Sequence, residues 1–301
     1  MTLNGDIWNR ITVVVCVKNS AHILPLSLAT LPKAKRIIVV DAHSTDGTPD
    51  IALSSHRAVE IIHIIDDRGL AAAINQGFAR ADTEFVLNIN PDTLFEEGAV
   101  EQLVATADKN TDAAGIAPLL INGRGNQELD VMGPWEYNHH KMYAKPSGPF
   151  CTWFLTGAIV LWRLSAYRIW GGMDESFFLY NEDADLCNQS VANGFSLILE
   201  PRAKSTHLGG ASERITLKTR RRKDWNMTWG HLFYVRKYES LEKADEIARN
   251  YMYNCSIDAL KGLLTLRPKK VVGNLAKASA ARHFLQRSKP WGRANLSWKD
   301  L

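Results

Sequence analysis

The sequence predicts an α/β protein with a doubly wound, mostly parallel central sheet, helices on both faces of the sheet, and a basic helical C-terminal region. Short runs rich in Val and Ile alternate with amphipathic segments over the first 120 residues, as expected for βαβ units. Polar or charged residues follow each run. The charge also changes sign along the chain: residues 1–200 hold 14 Lys and Arg against 24 Asp and Glu, whereas residues 201–301 hold 22 against 8.

The composition excludes several protein classes. With 301 residues, 46% hydrophobic and 23% charged, the chain is neither disordered nor a small disulfide scaffold. Its four cysteines are far apart and show no metal-ligand spacing, which favours the reducing cytoplasm. The N-terminus lacks the apolar stretch of a signal peptide, and the longest apolar run, 151–162, is shorter than the roughly 20 residues of a membrane span. We expect a cytoplasmic protein, at most peripheral at the inner face of the plasma membrane.

The pattern predicts the elements in order. Apolar runs predict strands at 11–17, 36–41, 59–65 and 84–89, with helices at 20–31, 45–54, 70–80 and 96–108. Residues 121–150 are predicted to be long loops, followed by a strand at 155–162, helices at 164–170 and 182–193, a strand at 195–201, and basic helices from 213 onward. We expect a catalytic domain at 1–215, with a nucleotide half at about 10–120 and an acceptor half at 121–215, and a helical region at 216–301.

Ligands of such sheets bind beyond the carboxyl ends of the strands, so those positions are the first candidates. Asp41 ends the second strand and could accept hydrogen bonds from a nucleotide; alternatively, the following residues 44–46 simply cap a helix. After the third strand, Arg68 is suited to phosphate, and Gly69 with three alanines allows a ligand to approach a helix start. Those alanines could equally be a helix-packing surface.

Two later segments carry acidic residues. Asp92, in an Asn-Pro-Asp turn, could hold a divalent cation that bridges a diphosphate, or form an Asx-turn that caps the next helix. In the stretch 171–187, Glu182 and Asp185 share one face of a helix and Asp183 lies to one side. Alternatively, these acidic residues only stabilise the helix, since the helix dipole favours negative charge in the first turn. The preceding residues 177–180, Phe-Phe-Leu-Tyr, could pack on a sugar ring, and His207 could bind a metal or a phosphate.

Six motifs occur together in one order: VVCVKN, VVDAHSTDGT, DRGLAAAINQG, NINPDT, GGMDESFFLYNEDADLC and HLGGAS. In this order and spacing the chain resembles family 2 glycosyltransferases of the GT-A fold, and most closely their bacterial rhamnosyltransferase-like branch. The resemblance covers about residues 10–240.

The resemblance implies a role for each matched residue. Asp183 would be the catalytic base, in a Glu-Asp motif with Glu182. Asp92 would be the metal carboxylate, with His207 near the metal and the diphosphate, and the cofactor would be Mg²⁺ or Mn²⁺. The implied nucleotide-sugar residues are Val15, Val17, Asp41, Asp67, Arg68, Asn75 and Asn90.

The resemblance therefore implies an inverting, metal-dependent glycosyltransferase acting in bacterial surface polysaccharide synthesis. Its donor would be a sugar linked to dTDP, GDP or UDP, and rhamnose is the first candidate for that sugar. Its acceptor would be a glycan or a lipid-linked glycan. Two alternatives stay open at this point: a non-catalytic sugar-nucleotide binding protein, and a nucleic-acid binder acting through the basic region. As a partner of the basic region, nucleic acid is weaker than anionic lipid, because the sequence has no RNA- or DNA-binding motif.

The basic region has alternatives of its own. Lys218 and the arginines 220–222 could close over the diphosphate, and the helices at 257–287 could lie on an anionic membrane surface. Trp291 and Trp298 suit a membrane interface or a subunit contact, so a homo-oligomer is also open. We expect residues 216–301 to be dispensable for folding of the nucleotide-binding core.

Overall fold

A computed structural model describes residues 6–128, 146–211 and 216–288. Trp291, Trp298 and most of the predicted loop region 121–150 lie outside these residues. Within the described chain, the elements up to residue 109 follow the predicted alternation of strands and helices, except that a short extra strand follows the fourth strand. They are β1 (Ile11–Val17), α1 (Leu24–Ala29), β2 (Ile37–Asp41), α2 (Thr48–Ser55), β3 (Val59–His63), α3 (Leu70–Arg80), β4 (Phe85–Ile89), β5 (Thr93–Phe95) and α4 (Ala99–Lys109).

The second half of the fold mixes strand directions. Its elements are β6 (Ala113–Asn122), β7 (Gln127–Glu128), β8 (Phe150–Cys151), β9 (Ile159–Arg163), α5 (Leu164–Ile169), α6 (Glu182–Ala192) and β10 (Ser196–His207). The described strands form one sheet in the order β3-β2-β1-β4-β9-β6-β10-β5, with β7 and β8 paired at its side. The first four strands pair in parallel as predicted. Strand β9 runs antiparallel to β4 and β6, so the sheet is parallel in its first half and mixed in its second.

Besides the two-residue strands β7 and β8, three strand segments were missing from the sequence prediction. The short β5 pairs antiparallel with the end of β10. The long β6 was missed because its Ala-Gly-Pro content is poor in β-formers; Gly115 is needed there, since a Cβ would lie 2.8 Å from the Trp162 ring. Strand β10 was predicted to end near Pro201 but continues to His207 after a register shift between Glu200 and Lys204. That continuation carries His207 to the candidate site.

The C-terminal region is helical, as predicted. It consists of α7 (Leu217–Tyr238), α8 (Leu241–Leu264) and α9 (Pro268–Leu285). The first two of these helices are capped at their N-termini by hydroxyl side chains. The Thr216 hydroxyl accepts a hydrogen bond from the backbone N–H of Thr219, and the Ser240 hydroxyl accepts one from the backbone N–H of Lys243. Among the described residues, no helix is both long enough and apolar enough to cross a membrane.

The chain divides into two compact units. Unit 1 contains the sheet and comprises Met1–Asp67, Ala73–Met173 and Asp183–Glu213. Unit 2 comprises Arg68–Ala72, Asp174–Glu182 and Arg214–Leu301, so two short internal segments belong with the C-terminal helices. In unit 2, the ring of Phe177 is fully buried and lies 5.0 Å from that of Phe233. Phe177 and Phe233 both belong to unit 2, so this packing does not test the expectation that residues 216–301 are dispensable for folding of the nucleotide-binding core. The domain boundary near 215 stays a prediction.

Candidate active site

The ends of β1 and β2 place the first candidate residues in unit 1. Val17 and Asp41 are partners in the parallel pairing, and each is the last residue of its strand. Asp41 is 4% exposed and accepts a hydrogen bond from the backbone N–H of Ser44 at 3.2 Å. The side chains of Val15 and Val17 are buried in the hydrophobic core. Asp41 is therefore the polar group that this strand pair presents at its carboxyl end.

An ion pair forms where β1 and β3 end. The Lys18 ammonium lies 2.8 Å from the Asp67 carboxylate, and each side chain is about one-third exposed. Asp67 was assigned to the nucleotide by resemblance, whereas Lys18 was given no role. The lysine follows β1 directly, so the rule that placed Asp41 at the site also points to it.

Two corrections come from unit 2. Gly69 was expected to let a ligand approach, but it is the backbone of Phe178 that comes close: a Cβ on Gly69 would lie 2.2 Å from the Phe178 carbonyl oxygen. The following N–H, of Leu70, donates to that same oxygen at 2.7 Å. Phe177 was expected to pack on a sugar, but it lies in the core against Phe233. Backbone packing therefore explains Gly69, and hydrophobic burial explains Phe177.

Arg68 and Asn75 have protein partners in the structure. The Arg68 guanidinium lies 2.8 Å from the Glu175 carboxylate and is half-exposed. The Asn75 side chain accepts from the Met173 N–H at 2.9 Å and donates to the Met173 carbonyl oxygen at 2.9 Å. The Tyr167 hydroxyl donates to it as well. These bonds give Asn75 a structural role. The nucleotide-binding roles of Arg68 and Asn75 stay predictions.

Asp92 and His207 meet because β5 pairs with β10. His207 is opposite Thr93 in that antiparallel pairing, so its imidazole lies beside the preceding Asp92, with 3.7 Å between Nε2 and Oδ1. Asp92 is 1% exposed, and its Oδ2 accepts from the backbone N–H of Ala211 at 3.1 Å. A strand follows Asp92, which removes the helix-capping alternative. Asn90 bonds through its backbone N–H to the carbonyl oxygen of Ala158 at 2.8 Å.

Sequence reasoning missed His22 at this end of the sheet. The His22 ring nitrogen Nε2 lies 2.8 Å from the carbonyl oxygen of Ala211, the residue whose N–H bonds to Asp92. Ala211 thus links an exposed histidine that follows β1 to the buried carboxylate. His22 lies only four residues beyond Lys18, but its partner Ala211 is far away in the sequence. No local pattern could therefore predict the contact between them.

The Asp92–His207 pair offers one carboxylate and one imidazole as potential metal ligands. Within the described residues, no group of three or more His, Cys, Asp or Glu side chains could hold a metal ion. A divalent cation on a diphosphate needs only one or two protein ligands, because phosphate oxygens and water complete its coordination. The Asp92 carboxylate is the kind of hard oxygen ligand that Mg²⁺ and Mn²⁺ prefer, and the His207 imidazole lies beside it.

The Glu-Asp motif lies at the start of α6. Glu182 and Asp185 are 6% and 0% exposed, whereas Asp183 is partly exposed. The Asp183 carboxylate accepts from the backbone N–H of Gly157 at 3.0 Å and from that of Ala184 at 2.9 Å. Gly157 has little room for a side chain, since a Cβ there would lie 3.2 Å from the Asp183 Cβ. The structure therefore fixes one accessible carboxylate against the backbone before β9.

Comparisons with known proteins place the chain in a family. The profile of glycosyl transferase family 2 matches residues 12–168. N-acetylglucosaminyl-diphospho-decaprenol L-rhamnosyltransferase of Mycobacterium tuberculosis is 26% identical over 213 residues, which cover 60% of this chain and 69% of the relative. Pre-mycofactocin glycosyltransferase of the same species is 29% identical over 209 residues, covering 68% of this chain but only 44% of the relative.

Solved structures agree on the fold. Mannosyltransferase PcManGT from Pyrobaculum calidifontis, in complex with GDP-Man and Mn²⁺, has a TM-score of 0.59 at 17% identity, over 92% of this chain and 87% of that chain. S. aureus TarS 1-349 has a TM-score of 0.57 at 15% identity, over 92% of this chain and 91% of that chain. These neighbours confirm the predicted GT-A fold. Fold, ordered motifs and profile agree, and the chain belongs to glycosyl transferase family 2, as a glycosyltransferase similar to bacterial rhamnosyltransferases.

Proposed function

We propose that this enzyme inverts the donor's anomeric configuration as it transfers a deoxyhexose from a nucleotide sugar to a glycan or lipid-linked acceptor in bacterial surface polysaccharide synthesis. Rhamnose from dTDP-rhamnose is the first candidate, and GDP- and UDP-sugars follow. Support for the sugar comes from the relative named as an L-rhamnosyltransferase. The absence of disulfides among the four cysteines fits a cytoplasmic enzyme.

The accessible carboxylate of Asp183 carries this proposal. An inverting transfer is a single displacement, in which the acceptor oxygen attacks the anomeric carbon as the bond to the diphosphate oxygen breaks. The departing diphosphate takes the bonding electron pair, and a base must take the acceptor's proton. Asp183 is partly exposed and held by two backbone N–H groups, so it is oriented for that proton. The buried Glu182 and Asp185 are less suited; we assign Glu182 a positioning role.

Asp92 and His207 are proposed to hold Mg²⁺ or Mn²⁺. When bound, the cation would offset the negative charge that develops on the leaving diphosphate. Asp92 contributes a carboxylate that the Ala211 N–H orients, and His207 lies beside it at the end of β10. The nucleotide would lie at the strand ends that carry Asp41 and the Lys18–Asp67 pair.

Replacing the base by its amide tests the function. Asp183→Asn is expected to lower transfer about 10²–10⁴-fold, because an amide cannot accept the proton. Binding of nucleoside diphosphate should stay near that of the wild type. Transfer is measured by release of nucleoside diphosphate, after a thermal-shift screen of nucleotide sugars with Mg²⁺ or Mn²⁺ has identified the donor.

Asp185→Asn is the matched control, since it makes the same change in the same helix at a buried carboxylate. It should lower thermal stability more than turnover. If Asp183→Asn kept more than about a tenth of wild-type turnover, or if only Asp185→Asn lost it, Asp183 would not be the base.

A further inference from the structure

The turn between α8 and α9 exposes an unusual group of leucines. We name residues 260–270 the hairpin tip. Four leucines of the tip, Leu260, Leu263, Leu264 and Leu266, are 60%, 59%, 79% and 89% exposed. Single exposed apolar residues are common on protein surfaces, but several large ones within seven residues form a patch, and such patches mark interaction sites.

Folding of the hairpin does not need these leucines. The two helices pack closely at Gly262. A Cβ at that position would lie 3.0 Å from the Val271 side chain. The neighbouring Ala259 and Val271 are buried at 3% and 9% exposure. The turn backbone is also satisfied, because the Arg267 N–H donates to the Gly262 carbonyl oxygen at 2.9 Å. Within the described residues, the four leucines are therefore exposed without being needed to close this turn.

The charges of the tip all have one sign. Lys261, Arg267, Lys269 and Lys270 are exposed, and the sequence has no Asp or Glu between residues 259 and 288. Lys261 lies 3.5 Å from Asp258, in the preceding turn of α8. Cations therefore flank the apolar patch along the chain, at the end of α8 and at the start of α9.

Exposed leucines flanked by cations suit a partner that is both apolar and negatively charged. We propose that the hairpin tip docks on an anionic lipid bilayer, with its leucines among the acyl chains and its lysines and arginine at the phosphate groups. Basic residues near an anionic membrane add attraction, and apolar side chains add burial. A second copy of this chain is the poorer partner, because pairing two tips would bring cations against cations.

Vesicle binding tests the proposal without donor, acceptor or turnover, so its outcome is independent of the proposed function. The full chain is sedimented with vesicles of phosphatidylcholine containing phosphatidylglycerol, and with pure phosphatidylcholine vesicles, at low and high salt. We expect binding to the anionic vesicles at low salt and much weaker binding in the other conditions. No binding to anionic vesicles at low salt would overturn the proposal.

Charge reversal at the tip locates the binding. Lys269→Glu with Lys270→Glu should lower the partition coefficient by more than about 25-fold, since each basic residue contributes roughly a fivefold factor. The matched control reverses two exposed cations elsewhere, Arg57→Glu with Lys109→Glu, and should change binding much less.

Apolar insertion is tested in the same way. Leu264→Ser with Leu266→Ser should lower binding at least tenfold while leaving thermal stability unchanged, because both side chains are exposed. The control is Leu26→Ser with Leu53→Ser, leucines that are 57% and 53% exposed in α1 and α2. Equal binding by tip and control variants would overturn the proposal, as would a dimer in sedimentation velocity that the tip variants abolish.

Discussion

Asp92 is a buried carboxylate, and its charge needs compensating partners inside the protein. A carboxylate at 1% exposure has lost most of its hydration, and only nearby donors or a cation can compensate for that. The structure supplies the Ala211 N–H at one oxygen and His207 near the other. Asp183, by contrast, keeps contact with solvent while two backbone N–H groups orient it. This difference in environment is why the proposed function assigns the two carboxylates different tasks, Asp92 beside a cation and Asp183 toward an acceptor.

Asp92→Ala is expected to remove most of the enhancement that Mg²⁺ or Mn²⁺ gives to nucleoside diphosphate binding, because the main hard ligand is lost. Calorimetric titration with and without the cation measures it, and metal-free binding should change little. Glu97→Ala, at an exposed carboxylate in the same region, is the control. Equal metal enhancement in Asp92→Ala and wild type would remove Asp92 from the metal site.

Helix α7 supports the segment that leads into the Glu-Asp motif. Tyr180 and Asn181 both have left-handed backbone angles, with φ of 71° and 74°, which cost free energy for non-glycine residues. Gly230 of α7 lies against them: a Cβ would be 2.4 Å from Asn181 Nδ2 and 2.9 Å from the Tyr180 carbonyl oxygen. The Asn181 amide also reaches the Met227 carbonyl oxygen at 3.4 Å. The segment is thus held in place by the helix.

Gly230→Ala should lower kcat about tenfold or more while donor affinity stays near that of the wild type, because displacing Tyr180 and Asn181 shifts the motif that follows them. In an open helix site the same change would stabilise by about 1 kcal/mol. Steady-state kinetics and thermal denaturation separate the two effects. Met227→Ala, at an exposed side chain of the same helix, is the control; a more stable Gly230→Ala enzyme with unchanged kcat would contradict this role.

Strand β10 is tied to α4 by one buried acid. Glu200 is fully buried and accepts from Thr106 at 2.6 Å and from the Arg202 guanidinium at 2.7 Å. Burial alone would raise the pKa of Glu200, but hydrogen bonds from Arg202, Thr106 and Gln102 outweigh it and lower the pKa from 4.5 to about 2. Ionised Glu200 therefore fastens the strand at its register shift, ahead of the segment that carries His207.

This lowered pKa predicts how stability depends on pH. The contribution of Glu200 should be complete above about pH 5 and be lost as the pH falls from 4.5 towards 2, because the unfolded chain then takes up the proton first. Glu200→Gln should cost about 1–3 kcal/mol of unfolding free energy at pH 7. Urea denaturation of both proteins between pH 7 and about 3 measures the difference, which should shrink on acidification; a constant difference would contradict the assignment.

At the scale of the whole molecule, the two units do not follow the order of the chain. Unit 2 takes 174–182 from the middle of the sequence and packs that segment on the C-terminal helices. Phe177 is buried against Phe233, and the Asp174 carboxylate lies 2.7 Å from the Lys237 ammonium. The segment just before the Glu-Asp motif therefore depends on residues beyond 216.

A chain ending at residue 215 should be less stable than the full chain and should lose transfer activity. Losing the packing of Phe177 alone is comparable to a core Phe→Ala change, which costs about 3–5 kcal/mol. Thermal denaturation and proteolysis near 174–182 report the effect, and Phe233→Ala in the full chain should reproduce part of it. If the shortened chain kept its melting temperature and its resistance to proteolysis, residues 216–301 would be dispensable for the core after all.

The sequence by itself determined the parallel half of the sheet, the basic helices and the family. Strands β1, β2 and β4 are buried on both faces, so each needs a continuous apolar run that can be recognised locally. The acidic and polar residues after them could be found because strand ends are where such sheets bind ligands. The motif order then led to Asp92, Asp183 and His207 as candidates.

Only the tertiary structure decided the other half of the sheet and the contacts of the site. Strands β5 and β6 have weak local signals and exist because partner strands complete their hydrogen bonds. The roles of Gly69 and Phe177 were misjudged because small and aromatic residues suit both a ligand and a core, and their neighbours decide which. Ala211 and His22 joined the site through contacts between distant parts of the chain. Such contacts depend on which surfaces meet, and no local pattern in a single sequence encodes that.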